Sequence, residues 1–154
     1  MFEVNQVLDP ALLQKTIARL MEHHDALRLR FHLDGKSWSA ENADLPNDIP
    51  VKVIDLSELD TAKQKEAIEA EAEKTQAGLD IDQGPMLWVV YFYLGTNKPG
   101  RLLIVIHHLI VDGVSWRILA EDLQAIYAQL ANHPASEEPV QLPSKTTSFQ
   151  YWAN

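Results

Sequence analysis

Cysteine is missing from all 154 residues. Disulfides and thiolate chemistry are therefore excluded, and a reducing, cytoplasmic setting is compatible with the chain. Basic residues are few. Thirteen Lys and Arg stand against 22 Asp and Glu, a net charge of -9. Nucleic acid and anionic membrane surfaces both demand a basic footprint, so neither is expected as a partner. No run reaches the roughly 18 apolar residues that a membrane span needs. The longest apolar stretches, near 86–94 and 102–111, are short and broken by polar groups. No basic segment followed by an apolar one opens the chain, so no signal peptide is expected. Repeats and low-complexity segments are also missing. The rest is ordinary for a globular protein, with 46% hydrophobic and 23% charged residues. The length suits one domain with a core.

The pattern alternates between helix and strand. Asp9-Pro10 reads as an N-cap followed by the first helical residue. Leu13, Ile17, Leu20, Met21 and His24 then recur at three- and four-residue spacing and make one helical face. Leu27, Leu29, Phe31 and Leu33 alternate with Arg28, Arg30 and His32, which predicts a half-buried strand with its basic residues on the other face. Asp34-Gly35 signals a turn and places Trp38 on a short return strand. A polar loop over 40–50 leads to a strand from Val51 to Leu56. Ser57 is the expected cap of a second helix that runs to Ala77 and stops at Gly78. That helix is rich in Ala, Glu and Lys and should be solvated, with a thin contact stripe. After the loop GLDIDQGP, Met86–Leu94 and Arg101–His107 read as strands of a hairpin closed by Gly95–Gly100. A last helix begins near Ser115, with Leu119, Leu123, Ile126, Tyr127 and Leu130 as its stripe. This order predicts an α/β sandwich of a mixed sheet packed by helices.

The chemistry-bearing residues concentrate in HHLIVDG, residues 107–113. Successive side chains on a strand point to opposite faces. His107 and His108 therefore should not share one metal ion, and no third ligand stands at suitable spacing; no metal and no directly bound cofactor is expected. His107 is expected to face inward and His108 outward. Asp112-Gly113 turns the chain between strand and helix, the kind of junction where α/β proteins build sites. The plainer reading makes both histidines core groups and Asp112 a helix-entry residue. Chemistry offers another. A histidine, with an ordinary pKa of about 6.5, can take a proton from an amine or a carbon acid near neutrality. A carboxylate buried beside it needs a cation, and Arg28 and Arg30 are the candidates.

This stretch resembles the HHxxxDG signature of the condensation-domain superfamily of nonribosomal peptide synthetases, which is also similar to that of chloramphenicol acetyltransferase. EHHDALRLRF (22–31) resembles the superfamily's earlier RHEALRTRF-type motif. GPMLWVVYFYL (84–94) resembles its GPLLRVALF-type strand, and LPSKTTSFQYWA (142–153) resembles the segment after the last helix of the lobe. The resemblance implies the N-terminal lobe, 1–154, of a two-lobed V-shaped domain, truncated at both ends. A tunnel between such lobes admits phosphopantetheine arms, so peptidyl carrier proteins and the C-terminal lobe are the implied partners. Self-association through the exposed lobe interface is a further expectation. His108 matches the catalytic histidine. His107 matches the usually structural first histidine, Asp112 the motif aspartate, Arg28 its usual ion-pair partner, and Gly113 the glycine that keeps the tunnel open.

DGVSWRIL and KTTSFQYWA look more like epimerization domains than like the commonest condensation domains. The implied activity is L-to-D epimerization at the α-carbon of a carrier-bound aminoacyl or peptidyl thioester, or peptide-bond condensation. Two other readings stand beside it: an inactive fragment that serves as a folding or docking unit, and a CoA-dependent acyltransferase. An Arg28–Asp112 ion pair is expected, with Arg30 as the fallback partner, so that Asp112→Ala should damage folding before chemistry.

Overall fold

Asp9 and Pro10 start the first helix as their chemistry directs. The computed structural model describes residues 1–133 and 140–144. After a short strand β1 (Phe2–Val4), α1 runs from Pro10 to His23, and the Asp9 carboxylate accepts from the Leu12 N–H at 2.7 Å. A short 3-10 turn (Asp25–Arg28) leads into β2 (Leu29–Asp34) and β3 (Ser37–Asn42). Then come β4 (Val51–Asp55), α2 (Thr61–Ala77), β5 (Leu87–Tyr93), β6 (Gly100–Ile106) and α3 (Gly113–Asn132).

Two sheets form. The main one has the order β1-β6-β5-β4, and β2-β3 stands apart as a hairpin. β5 and β6 are antiparallel, with Leu87 opposite Ile106 and Phe92 opposite Arg101. β4 lies parallel to β5, with Val51 opposite Val89, and α2 is the crossover that makes this possible. The sheet is therefore mixed. The continuous apolar runs of β5 and β6 follow from burial on both faces. Val89, Tyr91 and Leu102 pack with Leu13 and Ile17 of α1 and with Leu119 and Ile126 of α3. Their neighbours Val90, Phe92, Leu103 and Val105 point the other way, toward Ala67, Ile68 and Ala72 of α2. The α/β sandwich expected from the sequence is the fold found.

α2 is the solvated helix its composition predicts, but its stripe carries polar anchors. Gln64 is buried and donates to the carbonyls of Leu56 (2.9 Å) and Leu94 (3.3 Å). Glu71 holds Lys52 of β4 at 2.9 Å. Its cap differs from expectation. Asp60, not Ser57, accepts from the Lys63 N–H at 2.9 Å. The Leu59 N–H donates to the Leu56 carbonyl, closing a turn that delays the helix. Ser57 instead donates its N–H to Asp55.

The second correction concerns Leu27–Leu33. Leu27 is buried, but on the 3-10 turn. On β2 itself Leu29 and Phe31 pack against the core as expected, but two residues depart from the pattern: Arg30 is buried at 7% exposure and Leu33 is 56% exposed. The cause is the loop over 80–84, which covers this part of the hairpin with backbone carbonyls. Ile81 accepts from the Phe31 N–H at 2.7 Å, and Gln83 accepts from Arg30 Nε at 3.2 Å. A surface of acceptors requires donors, so the guanidinium is buried, while Leu33 lies near the hairpin turn opposite Trp38, which is exposed too. Gly84 completes the fit. Its φ is +77°, and a Cβ there would lie 2.2 Å from Arg30 Cζ. Most of the LPSKTTSFQYWA segment, 145–153, lies outside the described residues.

Candidate active site

β6 ends at Ile106, one residue short of the histidine pair, because the chain must leave the sheet there. The expectation that both imidazoles sit on the strand is therefore corrected: His107 follows the strand, and His108 and Leu109 form a turn. The exit is well tied. The His107 N–H donates to the Met86 carbonyl at 2.9 Å, a last bond to the neighbouring chain segment. The Ile110 N–H donates back to the His107 carbonyl at 3.0 Å. The Leu109 N–H donates to His107 Nδ1 at 3.2 Å. A nitrogen that accepts carries no proton, so neutral His107 bears its hydrogen on Nε2. His107 is half-buried and His108 exposed. Ile110 and Val111 then dive into the core, at 8% and 5% exposure. The turn thus pushes His108 outward between two buried anchors.

Asp112 caps α3. Its backbone is extended, and its carboxylate accepts from the N–H (2.8 Å) and the hydroxyl (2.7 Å) of Ser115. The Ser115 backbone N–H, and after it the Ser115 hydroxyl, hold the carboxyl below its usual range. The predicted Arg28–Asp112 ion pair is not formed, and Arg30 does not replace it. Arg28 donates to the carbonyls of Met21 (3.0 Å) and Ala43 (2.6 Å) and pairs with Asp25 at 2.8 Å. Arg30 is committed to the carbonyls of Gln83 and Leu29. An exposed carboxylate that already has two donors has no need of a buried cation, and both arginines hold other seams of the fold. The plainer reading of Asp112 as a helix-entry residue describes what it does here.

Gly113 opens α3 beside a cleft of about 530 Å³, lined by Met1, Phe2, Ile104, Trp116, Arg117 and Ala120. A Cβ added at Gly113 would meet nothing within 4 Å. Neither local backbone strain nor a close neighbour among the described residues explains the glycine.

Against this geometry, a family model described as Condensation domain matches residues 1–154. The chain belongs to the condensation-domain family. Two linear gramicidin synthase proteins of Brevibacillus parabrevis resemble it. One is 48% identical over 153 residues, which are 99% of this chain and 3% of that protein. The other is 51% identical over 151 residues, 97% of this chain and 2% of that protein. This condensation-family chain thus spans only a few per cent of the curated relatives it matches. Among solved structures, the epimerization domain from the third module of tyrocidine synthetase B superposes with a TM-score of 0.85 at 32% identity, covering 98% of this chain and 33% of that one. The starter condensation domain of rhizomide synthetase superposes at 0.71 and 18% identity, covering 89% of this chain and 33% of that one; it shares the fold.

One contact in this condensation-family chain escaped sequence reasoning. Asp122 lies on the buried face of α3, at 6% exposure, with Oδ2 2.7 Å from His24 Nε2. The signal was present. A charged residue interrupts the stripe between Leu119 and Ile126, where an apolar one belongs.

Proposed function

We propose that this chain is the N-terminal lobe of a domain that acts on aminoacyl or peptidyl thioesters carried on the phosphopantetheine of a peptidyl carrier protein, and that the reaction is epimerization at the α-carbon. The carrying observation is the placement of His108. It is the exposed imidazole of the junction, and it stands at the tip of a turn fixed by His107 on one side and by buried Ile110 and Val111 on the other. The likeness to the tyrocidine synthetase epimerization domain supports the choice of reaction.

In this reading neutral His108 takes the α-proton of the L-residue, which the thioester acidifies. A second acid/base group returns a proton to the opposite face, and that group belongs to the C-terminal lobe. His107 positions the turn through its Nδ1 and backbone contacts. Asp112 fixes the start of α3, and Gly113 leaves the space beside the histidine open to the pantetheine arm. In this reading the reaction draws on no cofactor bound to the lobe itself, and the substrate arrives on the carrier's phosphopantetheine.

The test is deuterium exchange. A protein that joins this chain to the remaining two thirds of the domain is given carrier-loaded L-residue in deuterated water. Deuterium is expected at the α-carbon, and His108→Ala should slow its entry by about 10²- to 10⁴-fold. The 154-residue chain alone should be inert in the same assay, since the second acid/base group comes from the other lobe. Peptide-bond formation without deuterium at the α-carbon would replace epimerization with condensation. That second reading is supported by the family match itself.

A further inference from the structure

Away from the His108 junction, α1 ends in two imidazoles set against α3. His23 is the last residue of α1, and His24 is its C-cap, with φ -101° and ψ 92°. Adjacent residues inside a helix do not face each other. Here the helix stops between them, and the extended backbone at His24 brings the second ring onto the first. The rings meet edge to face, with centroids 4.9 Å apart and planes at 84°. The third member comes from the middle of α3: Asp122, buried, with Oδ2 2.7 Å from His24 Nε2. One ligand-capable atom from each of His23, His24 and Asp122 lies within 4.8 Å of the other two.

From this juxtaposition we infer that His23, His24 and Asp122 bind one divalent transition-metal ion of the zinc class. Two imidazole nitrogens, one carboxylate oxygen and a water are a donor set that zinc accepts in tetrahedral geometry. Calcium and magnesium prefer oxygen alone, so they are not the ions this set selects. The position suits a cation as well. Asp122 is a carboxylate in an apolar helix–helix seam, and a cation there offsets its desolvation. The rings must move to hold the ion. Donors about 2.1 Å from a tetrahedral centre stand about 3.4 Å apart, so the widest separation closes by at most about 1.4 Å and the 2.7 Å His24–Asp122 contact opens by about 0.7 Å. His23, partly exposed at the end of α1, is the ring placed to swing in. The exchange balances: nitrogen and oxygen lone pairs go to the ion, and His24 keeps one proton, on Nδ1, so that a neutral ring shifts its proton from Nε2 to Nδ1 and an imidazolium releases its second proton to solvent. Bound metal joins the end of α1 to the middle of α3 and stabilises the folded chain by mass action. The site is independent of the reaction proposed for His108.

Calorimetric titration of the full chain with zinc chloride tests this inference, with His23→Ala and the double variant His107→Ala/His108→Ala as comparisons. The wild type should show one saturable site per chain. His23→Ala removes a partly exposed side chain and should fold normally while weakening zinc by at least about 10- to 100-fold. The double variant should keep wild-type affinity, which separates this site from the reaction centre. Cobalt in place of zinc should give the visible absorption of a tetrahedral complex, and His23→Ala should lose it. Wild-type affinity in His23→Ala, loss of the site in the double variant, or no saturable binding in the wild type would each overturn the assignment.

Discussion

At the scale of single residues, three side chains of one short motif perform three tasks. His107 is a tether, His108 an exposed imidazole, and Asp112 a helix cap. The cap makes a prediction that differs from the one an ion pair makes. Removing a cap costs far less than stranding a buried charge. Asp112→Ala should lower Tm by about 2–4 °C and leave a folded protein, measured by circular dichroism at neutral pH. Its carboxyl is held low by Ser115, so its contribution is present above the ordinary carboxyl pKa and is lost as pH falls through the lowered one. The difference between wild type and variant should therefore vanish on acidification. A variant unfolded at neutral pH would restore the idea of a buried partner. The residues of the motif were legible in sequence, but their partners were not. Arg28 stands on the correct motif, yet its donors go to Met21, Ala43 and Asp25. A motif fixes which residues are present and leaves open which groups they meet.

At the scale of elements, the hairpin β2-β3 is separate from the main sheet and is pinned to the 80–84 loop by two side chains, Arg30 and His32. His32 Nδ1 bonds Asp82, and its Nε2 lies 3.1 Å from Glu41. Its pKa is raised, first by the Asp82 hydrogen bond and then by the one to Glu41. Asp82 is lowered, first by the Gln83 side chain and then by His32. The signs define a window. The His32 contribution is fully present below the imidazole's ordinary pKa and is lost as pH rises through the raised value. The Asp82 contribution is lost as pH falls through its lowered value. The clip therefore holds between the lowered Asp82 value and the raised His32 value and loosens on either side. An NMR titration of His32 should show a midpoint above about 6.5, and Asp82→Asn should bring it down. A wild-type midpoint at or below that value would refute the clip. The strands of this hairpin were legible from Asp34-Gly35 and from alternation. Their faces were legible only in part: Leu29 and Phe31 pack on the core as read, but a loop about 50 residues away covers the arginine as well, through the Gln83 carbonyl.

At the scale of the whole molecule, the sheet is a partition between two cores. One lies under α1 and α3 and includes Ile126 at 0% exposure. The other lies under α2 and includes Phe92 at 0% exposure. The α2 side holds the smaller buried cluster, and α2 itself contributes Ala67, Ile68 and Ala72 to it. Phe92 is thus the large side chain that fills it, and Phe92→Ala should cost about 3–5 kcal/mol. A shift in denaturant midpoint with an unchanged slope would measure this loss. A loss below about 1 kcal/mol would mean that the α2 layer adds little to the cooperative unit. The membrane expectation is also a property of the whole. Among the described residues, no helix is long and apolar enough to cross a bilayer.

The sequence by itself determined the helices, the longer strands, their order and the α/β class, because periodicity, caps and turn residues are local signals that the chain carries whatever surrounds it; the three-residue β1, too short to show a period, came only from its pairing with β6. It also determined the motif, and with it the resemblance that the family match bears out. The tertiary structure alone decided the long-range pairings: Arg28 with the Ala43 carbonyl, Arg30 beneath Gly84, and His24 with Asp122. The physical reason is common to all three. A buried or shared polar group takes whatever donor or acceptor the fold brings within about 3 Å. That distance is set by residues far apart in sequence, as the sequence separation of 98 between His24 and Asp122 shows.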